Sequence, residues 1–569
     1  MQPVFDRAWA AHRDGRLDDA ARDYLATLAA DPVHVDALHL LGVLRHQQGQ
    51  HAAAADLVKR AVDLRPDDAA LQLNLGNALR ALGRLDGAIE RFRNALSLAP
   101  TFPMAHYNLG NAYAAIGRHE DAADAFRRSL QLQPADASSH NNLGNALHAL
   151  GQHREAVTAF EQALALRPGH AGAHNNLGMA LNALDQPDDA ITQFQAALAA
   201  EPRFVAAQFN LANTLDALGR HAEAVTAFEA TLAMQPHLAP ALFGLGNALA
   251  ALGQHARAAQ HFERAVGLDP AFSLAWLGLG TARHALGALD AAVRAFNQAL
   301  RLRDDLASAH MNRALVWLTQ GDFARGLPEY EWRLETTALP VSLPMPRWRG
   351  EPVEGKTLFI HAEQGFGDTL QFVRFVPLVA QRGARVVLEV QPQLLPVLAP
   401  AAREWRITLI AQGAPRPRAD LHCPLLSLPL ALGTTFDTIP ARTPYLSVPP
   451  AYRRKWRGSL GGHAKRKIGL AWSGRIQQHE NRTMPLAALE PLFALEGIDW
   501  IVLQPDLRAE ERAALEAHPR AASIHHFGQR IADFADTAAI IERLDAVVSI
   551  DTSIAHLAGA LRKPLWLML

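Results

Sequence analysis

Two short stretches combine residue types that could do chemistry. Asp551-Thr552-Ser553, with His556 three residues on, follows the apolar run Ala546-Val547-Val548-Ser549-Ile550. A strand that ends there hands over to a helix, and the free N–H groups and dipole of a helix start attract anions, so a diphosphate fits. His556 lies four residues beyond Thr552 on the same helix face and can add a donor. A plain cap by Asp551 or Thr552 is the simpler alternative. It does not account for Asp, Thr, Ser and His gathering on one turn. The second stretch is Gly365-Phe366-Gly367-Asp368, which follows Thr357-Leu358-Phe359-Ile360. Its glycines, Gly365 and Gly367, allow a backbone to approach a ligand closely. Asp368 opens a helix, either as its cap or as a carboxylate at a cleft mouth that can take a proton from a hydroxyl. The pattern is shorter than a dinucleotide fingerprint and lacks its third glycine.

The elements around these stretches alternate. Strands are expected over 357–360, 385–390 and 407–410, with helices over 369–379 and 394–398. A second set has strands over 468–472, 500–503, 524–526, 546–550 and 565–569, with a helix over 536–542. Such alternation argues for parallel sheets, hence two Rossmann-like domains, 353–450 and 465–569. Ligands of these sheets bind outside the carboxyl ends of the strands. Four loops qualify: 361–369, 473–483 (with Ser473 and Gly474), 504–508 (with Gln504) and 551–556. Residues 411–450 are proline-rich, and 450–465 form a basic, glycine-containing gap.

Before residue 337 a different period rules. Leu75-Gly76-Asn77-Ala78 returns as Leu109-Gly110-Asn111-Ala112, Leu143-Gly144-Asn145-Ala146 and Leu245-Gly246-Asn247-Ala248, and prolines from Pro32 to Pro270 keep the same 34-residue beat. A fixed period of this length marks stacked helix–turn–helix units. Gly76 is small where two helices cross, Gly83 ends the first helix, Ala88, Phe92 and Ala95 share one face of the second, and Pro100 stops it. Ten units fill 1–336. In the tenth, Ala314, Gly326 and Arg333 stand where earlier units carry Gly, Ala and Ala, a drift suited to a terminal repeat that meets something different. These positions resemble the tetratricopeptide repeat (TPR) family, which implies an α-helical solenoid with the first helix of each unit on its concave side. On that helix Asn74, Asn108, Asn142, Asn176 and Asn210 recur, with Asn77, Asn111, Asn145, Asn213 and Asn247 three residues on. A column of carboxamides could pair with the backbone of an extended peptide. It resembles the asparagine ladder of O-GlcNAc transferase repeats. Asparagine is also common there in the repeat consensus for structural reasons. Residues 337–352 carry Pro340, Pro344, Pro346 and Pro352 and read as a fixed connector pinned by Trp348.

The chain of 569 residues is 49% apolar and 20% charged, with net charge −1. No overall field favours nucleic acid or an anionic membrane. The single cysteine, Cys423, rules out an internal disulfide and suits a reducing compartment. No basic-then-apolar leader and no apolar run near 18 residues occurs, so a cytoplasmic location is expected.

Over 345–569 the stretches Glu363-Gln364-Gly365-Phe366-Gly367-Asp368-Thr369-Leu370-Gln371-Phe372, Gly469-Leu470-Ala471-Trp472-Ser473-Gly474 and Ser549-Ile550-Asp551-Thr552-Ser553-Ile554-Ala555-His556-Leu557-Ala558-Gly559 resemble glycosyltransferase family 9, typified by the heptosyltransferases, and its TPR-linked bacterial branch. The resemblance implies a GT-B fold and inverting, metal-independent transfer from a nucleotide-sugar, without a cofactor. It makes Asp368 the catalytic base and gives Asp551, Thr552 and His556 the donor's sugar and diphosphate. It places Arg482 among looser donor contacts, and Gln504 ends a strand where a nucleotide edge could be read. No Asp-x-Asp motif occurs in this span, and His525-His526 lacks partners at metal-ligand spacing. Family members continue past the position of Leu569, so the second domain is expected to be incomplete. The competing expectation is a non-catalytic interaction scaffold with a degenerate transferase domain.

Overall fold

The 34-residue period becomes ten successive helix pairs, from Gln2–Arg13 to Phe323–Tyr330, in a computed structural model that describes residues 2–336, 343–460, 465–473 and 484–568. The pairing rests on a socket. A Cβ built on Gly76 would fall 2.5 Å from Phe92 Cε1, and the same relation joins Gly110 to Phe126, Gly144 to Phe160, Gly178 to Phe194 and Gly246 to Phe262. All five rings are buried. Each buried ring contributes about 1.5–3 kcal/mol, and the glycine opposite is what admits it. The turn between paired helices needs a left-handed residue. Gly83 supplies it at φ +74°, and Asp185 takes the equivalent place at φ 60°. No described helix is long and apolar enough to cross a membrane.

The chain divides into two compact units, Met1–Ala288 and Leu289–Leu569. The second unit therefore holds the end of the repeat array together with all of the α/β structure. Its elements run β1 (Thr357–His361), α1 (Phe366–Phe372), α2 (Val376–Gln381), β2 (Arg385–Val390), α3 (Leu395–Glu404), β3 (Thr408–Ala411), β4 (Leu421–Pro424), α4 (Pro450–Lys455), β5 (Arg466–Ala471), β6 (Ile498–Val502), α5 (Ala509–Ala517), β7 (Ile524–His526), α6 (Phe534–Glu542), β8 (Ala546–Ile550), α7 (Ser553–Ala560) and β9 (Leu565–Met568). They form two parallel sheets, ordered β3-β2-β1-β4 and β7-β6-β5-β8-β9. The central strands β1 and β5 pair on both sides, Ile360 with Leu388 and Cys423, and Leu470 with Val502 and Val548. Their inner residues, Leu358-Phe359-Ile360 in β1 and Ile468-Gly469-Leu470-Ala471 in β5, are accordingly apolar, as strands covered on both faces require.

Two features differ from expectation. The proline-rich stretch 411–450 contains strand β4, whose Leu-His-Cys-Pro sequence carries no strand signal. The helix expected over 369–379 is broken, with a 3₁₀ turn at Val373–Phe375 between α1 and α2. The connector is pinned as expected over its described part. Trp348 is buried, its backbone N–H donates to His422 O at 2.7 Å, and its indole donates to Glu351 O at 2.7 Å. Pro340 lies outside the described residues.

Strands β1 and β4 also set His361 beside His422, with 3.2 Å between Nε2 and Nδ1. They line a small cavity of about 190 Å³ with Arg347 and Arg416. Burial, then His422 and the nearby arginines, push the pKa of His361 down to about 3.

Two outcomes are expected. In urea unfolding, Gly144→Ala crowds Phe160, an overpacking cost of about 1–3 kcal/mol that outweighs a helix-propensity gain of about 1 kcal/mol. Gly87→Ala, whose nearest neighbour would sit 3.5 Å away, keeps only the gain and stabilises the array. Equal effects at both sites would reject the socket. The second concerns acid. Between pH 6.5 and about 3 the unfolded chain holds a proton that folded His361 refuses, so stability falls as pH falls, by at most about 1.4 kcal/mol per pH unit. His361→Asn removes that slope. Unfolding curves of variant and wild type that run parallel from pH 7.5 to 4.5 would show that His361 is not the group.

Candidate functional site

Parallel strands place all their carboxyl ends on one edge, and each of the four expected loops contributes to one cleft, with Asp368, Asp551 and His556 outside its lining residues. Phe366 after β1, Ser473 after β5, Gln504 after β6, and Thr552 and Ser553 after β8 all line one cleft of about 830 Å³. That volume lies within the usual range of a small-molecule pocket. Gly474 and Arg482, expected beside Ser473, lie outside the described residues.

The two glycine-dependent and anion-seeking stretches meet directly. A Cβ on Gly367 would fall 2.9 Å from His556 Cδ2 and 3.6 Å from Ser553 Cα. Gly367 is thus the point where α1 crosses the first turn of α7, and the absence of a side chain leaves room for the His556 ring. His556 Nε2 lies 3.8 Å from Asp551 Oδ1. Burial lowers the pKa of His556 against the opposing pull of Asp551 and Asp368, so the ring is uncharged at neutral pH. Asp368, Asp551 and His556 therefore share one electrostatic neighbourhood, although they come from opposite sheets.

Thr552 occupies the N-cap of α7, but no side chain caps that helix. The Thr552 hydroxyl instead meets Ser549 Oγ at 3.1 Å. Residues 552–554 line the cleft, so the helix start opens into it with its dipole's positive end. The simple capping role for Thr552 is therefore not the one observed.

Asp368 departs from expectation in position. The N-cap of α1 is Gly365, and Asp368 is the third helical residue, whose carboxylate accepts the Gly365 N–H at 3.1 Å. It reaches back as the acidic member of a capping box does. Gln504 also differs. Its carbonyl accepts the N–H groups of Trp472 and Ser473 at 2.6 and 3.2 Å, and its amide donates to Ser473 Oγ at 2.6 Å. The carboxamide is engaged in shaping the β5 exit, so Gln504 holds the wall of the cleft rather than offering an edge to read a base.

Other lining residues were not singled out from the sequence. Arg512 on α5 puts a cation at the cleft, and Gln393, Ile531, Asp533 and Phe534 complete the wall. The Phe534 ring packs on Phe366 with centroids 5.0 Å apart. Asp533 was detectable as an N-cap before an apolar helical run. It caps α6 through Ala535 and Asp536 N–H and accepts the Tyr452 hydroxyl at 2.7 Å. Part of the basic gap is structural too: Lys455 pairs with buried Asp536, and Arg453 with Glu542.

In the repeats, the asparagine column turns inward on itself. Asn108 donates to Asn77 at 2.9 Å, Asn142 to Asn111 at 2.8 Å, Asn176 to Asn141 at 3.2 Å and Asn210 to Asn175 at 2.9 Å, while Asn74 meets His39 at 2.6 Å. Every bond crosses to the preceding repeat. These carboxamide nitrogens fasten neighbouring units, the structural alternative raised by the repeat consensus.

Tetratricopeptide repeat models match residues 5–69, 103–169, 135–203, 181–239, 209–271, 243–307 and 277–333, and a TPR repeat model matches 76–117. Protein FlbA of Caulobacter vibrioides is 27% identical over 288 residues, 47% of this chain and 48% of FlbA. The chain thus spans about half the length of that curated relative. Among solved structures, YrrB, described as a TPR protein with an unusual peptide-binding site, is 25% identical, covering 33% of this chain and 97% of its own at a TM-score of 0.30. MamA is 26% identical, covering 30% and 92% at a TM-score of 0.28. The matched spans follow the 34-residue period almost end to end, and the repeat array of this chain belongs to the tetratricopeptide repeat family.

Proposed function

We propose that the chain is a GT-B glycosyltransferase that moves a sugar from a nucleotide-sugar to a protein acceptor held by the repeats. The observation that carries the reading is the crossing at Gly367, which joins the Asp368 turn to the open helix start at Ser553. A donor diphosphate belongs at that helix start, with Arg512 across the cleft. Asp551 and neutral His556 are placed to take sugar hydroxyls. An acceptor hydroxyl then attacks the anomeric carbon opposite the diphosphate. The new carbon–oxygen bond forms as the bond to phosphate breaks, the proton passes to Asp368, and the sugar's configuration inverts. In this reading the α7 start and Arg512 meet the charge that develops on the leaving diphosphate. Repeat arrays present extended surfaces suited to a polypeptide partner.

A second reading, a scaffold without catalysis, has one observation in its favour: the Asp368 carboxylate is already engaged by the Gly365 N–H. One set of measurements separates the two. Calorimetric titration of UDP, GDP and ADP, alone and as sugar conjugates, should identify one nucleotide that binds. Asp551→Ala should weaken the conjugate more than the plain nucleotide. Asp368→Asn keeps the capping acceptor but not the base. It should lower transfer by about 10²–10⁴-fold and leave nucleotide affinity within a few-fold. If no nucleotide binds and no sugar is transferred, the scaffold reading stands.

A further inference from the structure

The tenth repeat breaks its own rule at one buried position. Arg333 occupies the place held by a small buried residue in every earlier unit: Ala61, Ala95, Ala163, Ala197, Ala265 and Ala299 in six, and Thr27, Ser129 and Thr231 in the other three. It is itself 1% exposed. Its guanidinium bonds on one side within the tenth repeat and on the other beyond it. Nη2 donates to Glu363 Oε1 at 2.8 Å and to Ser427 Oγ at 2.7 Å, and Nη1 donates to Glu331 Oε1 at 2.8 Å and to Tyr330 O at 3.3 Å. The Tyr330 ring lies 4.9 Å from the guanidinium carbon. Glu363 Oε1 also accepts the Leu426 N–H at 3.1 Å.

Glu363 and Gln364 lead directly into Gly365 and the Asp368 turn. The Tyr330 hydroxyl faces the same turn, close enough to Gln364, Asp368 and Glu363 for each to bear on its ionisation. Gln391 holds the Gln364 carbonyl at 2.7 Å and accepts the Thr369 hydroxyl at 3.0 Å. The turn that carries Asp368 is thus gripped on its entering side by Arg333 of the last repeat, with the Tyr330 ring packed against the guanidinium. A buried ion pair is a poor source of stability compared with apolar packing, and this position accepts alanine in other repeats. What the pair supplies that a methyl cannot is direction: a planar, forked cation holds Glu363 Oε1 and Ser427 Oγ through one nitrogen and Glu331 Oε1 through the other, which fixes their relative places.

We propose that Arg333, assisted by Tyr330, is a positioning residue for the Asp368 turn, so that the cleft of the α/β unit is set by the terminal repeat. The geometric part stands by itself; its kinetic consequence rests on the transferase reading above.

The test uses the full chain with Arg333→Met, Arg333→Lys and Tyr330→Phe. Hydrogen–deuterium exchange of peptides covering 362–372 should speed up by about tenfold or more in Arg333→Met, with peptides of β6 and β8 unchanged. Arg333→Lys, which restores the charge but not the fork, should fall between. Transfer kcat should drop by about 10–100-fold while KM for the donor and nucleoside diphosphate affinity stay within a few-fold, because the group displaced acts only in the chemical step. Tyr330→Phe removes one hydroxyl and should raise exchange at 362–372 alone, which keeps the test open if Arg333→Met does not fold. Unchanged exchange across 362–372 in both Arg333→Lys and Tyr330→Phe would overturn the positioning role. Faster exchange in a chain that transfers no sugar would uphold the role and defeat the transferase reading instead.

Discussion

The site depends on one close approach. At Gly367 two helices from different sheets cross so closely that a methyl there would crowd the His556 ring, 2.9 Å away. Phe366 and Asp368 on α1, and Thr552, Ser553 and His556 at the start of α7, are brought together by that crossing. The far ends are tied as well. Tyr445 donates its backbone N–H to Ala560 O at 3.1 Å and its hydroxyl to Leu370 O at 2.9 Å, and Arg374 stacks over its ring. Between the two ties Leu370 and Val373 share one apolar core with Leu557 and Ala558. The crossing is therefore held at its mouth by lack of bulk and at its base by hydrogen bonds, with apolar burial between.

Much of this was readable from the sequence, and the reason differs by level. The repeats were readable because each unit must bury the same face against the next, which forces Gly76 and Phe92 to recur in step. The central strands were readable because burial on both faces demands unbroken runs such as Phe359-Ile360 and Val547-Val548. Strand β4 was not, since a short strand carrying histidine and proline satisfies no periodic rule. The strand-end loops followed from the topology of parallel sheets. Arg512 and Phe534 did not, because they reach the cleft only through how α5 and α6 pack, and nothing local marks them.

Polar side chains corrected the reading most. Gln504 was expected where a nucleotide edge could be read, and the asparagine column either as a peptide ladder or as a structural feature; in the structure both are engaged internally. The physical reason is shared. A carboxamide that is even partly buried must pair its donors and acceptor before it can serve anything else. At Gln504 the nearest groups are the N–H donors of the β5 exit. In the repeats the nearest group is another asparagine one unit back. A column of identical polar residues is therefore self-satisfying by construction, since a repeat brings its own partner.

The same logic explains why the terminal repeat carries an exception. Inside the array, position 299 or 265 faces another repeat and an alanine suffices. At 333 no further repeat follows, and the face meets the loop between β1 and α1 instead. Apolar packing is non-directional and would tolerate small slips of that loop. A buried guanidinium gripping Glu363 and Ser427 tolerates none without leaving a charge unpaired, which costs several kcal/mol. Steepness with displacement, rather than net stability, distinguishes the charged solution from the alanine used elsewhere. A turn whose backbone must hold a carboxylate at one place opposite an open helix start is where such steepness has a use, and that is the turn to which Arg333 is joined.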